Sequence, residues 1–212
     1  ARRMDPVFEY YRAFGRVFDL RPDARRLLAV GGGGFAFPKL VAANHPGVRT
    51  DVVEIDPMVV SIARRWFYLD EATALARAGS GDLQVICDDG RRFLEREPGP
   101  YDAVVLDAFV GETPVRSLAT VEALRLVRRA LAPGGLCLMN VVSCADGTDV
   151  SFLRSVVATA LVAFDHVKVV PATDDSHAAE DNYLLVASDA PIDLPDAIPF
   201  DEDFLGDVLF DI

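Results

Sequence analysis

The chain reads as an α/β protein: a Rossmann-like seven-stranded sheet, mostly parallel with an antiparallel last strand, and helices on both faces. Three observations predict this. Short apolar, β-prone runs alternate with helix-compatible runs from Arg26 onward, the rhythm of a parallel sheet with crossover helices. The run Leu27 to Val30 meets four glycines, Gly31 to Gly34, and a helical stretch follows with Pro38 near its first turn. The last two β-prone runs flank only the segment from Pro171 to Asp181, which suits an antiparallel, hairpin-like pairing.

Each element has its own signal. Between Asp5 and Leu20, Phe8, Tyr11, Phe14, Val17 and Phe18 recur at helical spacing behind an Asp5-Pro6 start, an aromatic stripe expected to pack on the main domain. Strand one is Arg26 to Val30, and the helix after the glycines runs from Phe35 to Asn44. Strand two covers Asp51 to Ile55. Pro57 opens a helix to Phe67, and a further helix spans Leu69 to Ala78. Gly79-Ser80-Gly81 breaks the chain before strand three, Leu83 to Cys87. Asp88-Asp89-Gly90 opens a helix from Arg91 to Arg96, ended by Pro98-Gly99-Pro100. Strand four is Ala103 to Leu106. Thr120 suits the N-cap of a helix from Val121 to Leu131, and Pro133-Gly134-Gly135 turns into strand five, Leu136 to Val142. A helix from Asp149 to Phe164, strand six (His166 to Val170) and strand seven (Tyr183 to Ala187) complete the sheet. Beyond it Pro191, Pro195 and Pro199 make an irregular tail, with a short helix after Asp201.

A length of 212 residues, half of them hydrophobic, suits one domain with a sizeable core. Its expected parts are an N-terminal helical segment (1–25), a nucleoside-binding domain (26–190) and an acidic C-terminal tail (191–212). No apolar run reaches the roughly 20 residues that span a bilayer, and the start lacks a signal peptide's apolar core. A cytoplasmic protein with no membrane partner is expected, its abrupt start leaving room for an upstream segment. Cys87, Cys137 and Cys144 form no C-x-x-C pair and are expected as buried, reduced thiols. His45, His166 and His177 lack metal-ligand spacing, so no metal is expected. The formal charge is −12, and from Asp189 to Ile212 eight acids stand without a Lys or Arg. Such a surface repels phosphate backbones, which argues against nucleic acid, and tolerates a cationic substrate. The tail itself is expected to be solvated.

The functional signal is a spacing. Glycines at the end of strand one let the backbone touch a ligand and aim helix N–H groups at it. Some twenty residues on, Glu54 closes strand two, where an acid binds ribose hydroxyls. Gly31-x-Gly33-x-x-Ala36 by itself also fits a dinucleotide fingerprint. Asp89 after strand three and the closing hairpin argue against that reading and for a class I methyltransferase-type arrangement. Ligands in open sheets sit outside the carboxyl ends of the strands, where Gly31 to Phe35, Glu54, Asp89 and Asp107 all fall.

Four segments, LLAVGGGG, VVEIDP, CDDGRRFL and YDAVVLDAF…LAPGGLCLMN, resemble the spermidine synthase (polyamine aminopropyltransferase) family within the class I S-adenosylmethionine-dependent transferases. The resemblance runs from about Phe8 to Ala187 and is stronger still to spermidine-synthase-like proteins with a DAF-type loop. It implies a nucleoside site of Gly31, Gly32, Gly33, Gly34, Glu54, Ile55, Asp89 and Gly90. Gly31 and Gly33 would line the sulfonium tail, Glu54 would hold the ribose and Asp89 the adenine amino group, with Gly90 leaving room for the ring. Asp107 falls on the catalytic aspartate. Tyr10, Tyr11 and Glu112 would line the amine pocket. The implied donor is S-adenosylmethionine or decarboxylated S-adenosylmethionine, the partner a small-molecule amine, and the assembly admits a homodimer. Aminopropyl transfer to a polyamine-type amine is the family's activity; methyl transfer, or nucleoside binding without catalysis, competes with it. The departures concern charge. The synthases' G-G-G-D-G-G aspartate, which grips the decarboxylated donor's ammonium, is Gly34 here; the second loop aspartate is Val110, and the glutamine after the pocket tyrosine is Tyr11. The synthases' N-terminal β-domain has no counterpart in this sequence.

Overall fold

The structure, a computed structural model, describes residues 3–5, 9–110, 113–144, 150–172 and 180–212. Its strands are β1 (Arg26–Val30), β2 (Arg49–Glu54), β3 (Asp82–Cys87), β4 (Tyr101–Leu106), a small ribbon of β5 (Phe109–Val110) and β6 (Thr113–Pro114), then β7 (Leu131–Cys144), β8 (His166–Pro171) and β9 (Glu180–Ser188). All but the ribbon join one seven-stranded sheet in the order β3-β2-β1-β4-β7-β9-β8. From β3 across to β7 the pairs are parallel, and β9 runs antiparallel to both β7 and β8. The one reversed strand is the last, as expected. The central strands β1, β2 and β4 are buried almost throughout, the reason β1 and the end of β4 read as apolar runs, while β2 carries the buried polar Thr50, Asp51 and Glu54.

The helices are α1 (Glu9–Ala13), α2 (Val17–Leu20), α3 (Ala36–Asn44), α4 (Pro57–Trp66), α5 (Leu69–Ala78), α6 (Gly90–Glu95), α7 (Val121–Ala130) and α8 (Ser151–Ala163). Their starts follow the cap chemistry. Asp56 accepts from Met58 N at 2.7 Å ahead of Pro57, Asp89 from Arg92 N at 2.8 Å, and Thr120 from Ala123 N at 3.2 Å. One face of the sheet packs on α7 and α8 through Leu124, Val127, Val156 and Val157. The other receives the N-terminal helices and α3, where Phe14 meets Phe37 edge to face at 5.5 Å. The single helix expected up to Leu20 is instead broken at Phe14–Arg16 by a tighter 3-10 turn containing Gly15. Phe8 lies outside the described residues.

Two expectations are corrected. The acidic tail is strapped to the body: Ile192, Leu194 and Leu209 are buried, and Leu209 donates to Thr159 Oγ1 and accepts from Val121 N. Three of the eight acids from Asp189 onward pair with body arginines, Asp196 with Arg16, Asp189 with Arg128 and Asp211 with Arg91. Composition shows charge but not the arginines that meet it. Cys87 is exposed at the end of β3, whereas Cys137 is buried and its thiol pushed up to about 12 by that burial. No helix among the described residues is long and apolar enough to cross a membrane.

Candidate active site

The carboxyl ends of β1, β2, β3 and β4 border a cavity of about 440 Å³. Its floor is the glycine turn. Gly31 N still bonds Val53 O, so the sheet ladder runs one residue past β1 before the chain swings away. Gly31 does so at φ +97°, and a Cβ there would lie 2.3 Å from Asp107 O: the position admits only glycine. Gly33, also at positive φ, has open space within 4 Å of where its Cβ would be, so its backbone faces the cavity bare. Phe35, left-handed at φ 54° and fully buried, plugs the inside of the turn and starts α3.

Glu54 ties this turn down. Its Oε2 accepts from Gly32 N at 2.8 Å and Gly33 N at 3.2 Å, and its Oε1 accepts from Asp56 N at 2.9 Å. The residue is only 8% exposed. A carboxylate offers about four acceptor positions, so capacity remains for a hydroxyl on the cavity side. The same bonds commit the Gly32 and Gly33 amides, and neither is left to receive a ligand's carboxylate.

Across the cavity stands Asp107, one residue beyond β4. Its backbone N bonds Val30 O, and its Oδ1 accepts from Asn140 Nδ2 at 3.1 Å. Burial raises its pKa to about 7, and the Asn140 amide offsets only part of that rise. Tyr10 and Tyr11, on α1, lie over the same space with ring centres 4.0 Å apart and planes tilted by 34°, and both hydroxyls are held above the ordinary tyrosine value by burial and then by Asp107. The chain after Asp107 is folded back by the β5–β6 ribbon and by Val115 N donating to Ala108 O. Phe109, Val115 and Leu118 thereby join the wall.

Another part of the cavity wall is the start of α6. Asp89 lines the cavity while capping that helix, and Gly90 is needed for packing as well as space, since a Cβ there would strike Val30 Cγ1 at 2.3 Å. Of the residues expected at the site, Tyr10, Tyr11, Gly31, Gly33, Glu54, Ile55, Asp89, Gly90 and Asp107 line this one cavity. Gly32 and Gly34 are not among the residues that line it; the Cβ position of Gly32 lies 2.7 Å from the Phe35 ring. Glu112 lies outside the described residues. Reading the sequence missed Asn140, although the signal was present. β4 and β7 pair with Leu106 opposite Met139, so Asp107 and Asn140 are the next register pair. It also missed Arg91, which lines the cavity while donating to Ser117 O, Thr120 Oγ1 and Asp211. Among the described residues no cluster of His, Cys, Asp and Glu is placed to hold a metal ion.

A sheet of this order with one reversed last strand, ligand-facing glycines after β1 and an acid ending β2 is the class I methyltransferase-type fold. The model of the spermine/spermidine synthase domain matches residues 15–173, and the chain belongs to that family. A probable spermidine synthase from Corynebacterium glutamicum superposes with a TM-score of 0.75 at 28% identity, over 91% of this chain and 68% of that one. A polyamine aminopropyltransferase of Vibrio vulnificus is 33% identical over 132 residues, 61% of this chain and 41% of its own. Putrescine N-methyltransferase 1 of Nicotiana tabacum is 30% identical over 118 residues, 54% of this chain and 30% of its own. The chain thus spans less than half the length of these two curated relatives.

Proposed function

We propose that this chain binds S-adenosylmethionine or its decarboxylated form in the cavity at the carboxyl edge of the sheet, and transfers an aminopropyl group to a polyamine-type amine. The observation that carries the reading is Asp107: a part-buried carboxyl with its pKa raised to about 7, facing two tyrosines and lying across the cavity from the Glu54-tied glycine turn. An amine acceptor with a pKa of roughly 10 must lose a proton before it can attack carbon. A carboxylate of pKa near 7 is matched to taking it at neutral pH. The donor's chemistry is its sulfonium, which supplies an activated carbon. The chain supplies the rest. Glu54 and Gly33 position the nucleoside, Asp89 reads its base, and Tyr10 and Tyr11 shield the amine from water.

Gly34 favours a second reading, methyl transfer from the carboxylate-bearing donor. No side chain there opposes a carboxylate, and a Cβ built at Gly34 has only Phe67 Cδ1, at 4.0 Å, within reach. Gly34→Asp therefore fits without strain and isolates charge. On the methyl-transfer reading, calorimetry of both donors on both proteins should show the native chain binding S-adenosylmethionine at least as tightly as the decarboxylated form; aminopropyl transfer expects the decarboxylated form to bind more tightly. Gly34→Asp should reverse the order by on the order of 1–3 kcal/mol. A strong native preference for the decarboxylated donor removes the methyl-transfer reading. Failure of the native chain to bind either donor removes both.

A further inference from the structure

Asn140 of β7 stands beside Asp107 without lining the ligand cavity. It is 6% exposed. Its Nδ2 donates to Asp107 Oδ1 at 3.1 Å, whereas its Oδ1 is buried and meets no hydrogen-bond donor among the described residues. A buried acceptor without a donor bears its full desolvation cost, so its place beside an ionisable group calls for a reason. The surroundings supply no donor. Asn140 lines a second, separate cavity of about 20 Å³, and the side chains around it, Leu106, Leu118, Met139 and Phe152 among them, are all apolar. The neighbour that can become a donor is Asp107 itself. A carboxylate only accepts; a carboxylic acid carries an O–H.

We infer that Asn140 is a positioning residue that holds Asp107 in both of its protonation states by turning its amide over. With Asp107 ionised, Nδ2 donates to Oδ1, as in the structure. When the carboxylate takes the acceptor's proton, an N–H bond of the amine breaks, an O–H bond forms on Asp107, and that O–H needs an acceptor. A half-turn about the Cβ–Cγ bond exchanges the amide's nitrogen and oxygen, which are nearly equal in size, and brings Asn140 Oδ1 to it. The small cavity gives the amide room to turn. In either orientation one end of the amide bonds Asp107 and the other is left unpaired, so the proton decides between them. Strand register keeps the pair together, since Leu106 lies opposite Met139 one position earlier. The other ionisable groups facing Asp107 are Tyr10 and Tyr11 from α1, Glu54 from the end of β2, and Asp89 and Arg91 from the start of α6. Among the described residues none of them forms a salt bridge with it, and the two tyrosines, both raised, stay neutral while it titrates. The turning of the amide stands on this geometry; its catalytic consequence rests on Asp107 as the proton acceptor proposed above.

The chain has three asparagines, Asn44, Asn140 and Asn182, so a sample with isotope-labelled asparagine and aspartate gives a sparse side-chain amide spectrum. In a nuclear magnetic resonance titration over about pH 5–9, the Asn140 amide carbon should shift with the same midpoint as the Asp107 carboxyl carbon. Above the midpoint the Asn140 amide protons should show Overhauser contacts to Asp107, and below it to the apolar side chains of the small cavity. In Asp107→Asn the Asn140 signals should not move over this range. Asn140→Leu, of similar volume, should keep the far-ultraviolet dichroism and the affinity for methylthioadenosine, and lower kcat by roughly 10–100-fold at unchanged KM, since only the proton acceptor is misplaced. Amide contacts that stay the same through the Asp107 titration overturn the inference. So does an Asn140 shift that persists in Asp107→Asn, an Asp107 that does not titrate in this range, or an Asn140→Leu that turns over as the native chain does. A native chain that transfers no group removes the proposed function instead, and the amide titration, which needs no substrate, still decides the inference.

Discussion

Two aspartates of this chain, Asp51 within β2 and the part-buried Asp107 just past the end of β4, are treated in opposite ways by the same sheet. Asp51, in β2, is 3% exposed and fully partnered: Tyr101 Oη donates to it at 2.9 Å, Arg49 Nε sits at 3.2 Å and the Arg26 guanidinium at 3.6 Å. Arg26 in turn lies 4.5 Å over the Tyr101 ring, and Tyr101 is raised to about 12 by burial and then by Asp51. Asp107 accepts from one neutral amide, Asn140, and among the described residues no salt bridge reaches it. Asp51 is buried and Asp107 part-buried, and the compensation differs more than the burial does. A buried acid surrounded by cations and hydroxyls holds strands together. One left with a single amide keeps a pKa within reach of solution chemistry, as the proposed proton transfer requires.

The sharpest way to break this contrast is to make the same substitution at both positions. Asp107→Asn should lower transfer to the amine by a factor of about 10²–10⁴. It should at the same time stabilise the fold at pH 8 by on the order of 2–4 kcal/mol, since a carboxylate held near 7 is ionised there at a cost. Asp51→Asn should destabilise by about 3 kcal/mol, leaving Arg26 and Arg49 without their anion. Denaturant titrations at pH 8 that place both variants on the same side of the native protein would erase the distinction.

The pH dependence follows with its sign. Asp107 has a raised folded pKa, so its contribution to stability is complete below about pH 4, near the unfolded value, and is lost as pH rises through about 7. The gain from Asp107→Asn should therefore grow between pH 4 and 7 and stay constant above. Turnover should climb over the upper part of that window as the base ionises. Thermal melts of the two proteins across this range test the first point, and a pH–rate profile tests the second. A profile flat through pH 7 would show that Asp107 takes no proton.

Glu54 sits between the two cases, bound to backbone amides yet open to the cavity. Glu54→Gln keeps an oxygen for the turn but loses the charge, and should weaken methylthioadenosine by about 1.5–3 kcal/mol, the worth of a hydrogen bond to a charged group. Unchanged affinity in isothermal calorimetry would make Glu54 a purely structural tie. The smallest effect belongs to Tyr101→Phe, which removes one of Asp51's partners. It should cost about 1–2 kcal/mol of stability with no change in turnover.

The residues explain how much of this was legible beforehand. β1 and α5 lie where hydrophobic period, glycine and proline placed them, because those signals are local. Glu54, Asp89 and Asp107 were found because a parallel sheet puts every strand's carboxyl end on one edge. Asn140 and Arg91 escaped because their roles depend on pairing across the sheet and on a tail some 120 residues away. The docked tail escaped for the same reason: Asp211 reads as solvated charge until Arg91 and Thr120 are known to stand beside it.

The tie between Glu54 and the glycine turn bears on the rate of binding as well as its strength. In many nucleotide sites a glycine-rich turn is loose until the ligand orders it, and that ordering entropy is charged against affinity. Here Gly32, Gly33 and Asp56 are already bonded to one carboxylate, and Phe35 fills the turn from inside. The ordering has been done during folding. Nucleoside capture should then be a docking onto a set surface, with little lag and a small heat-capacity change beyond that of the apolar area covered. Discrimination between nucleosides would lie in how long each stays and not in how fast each arrives.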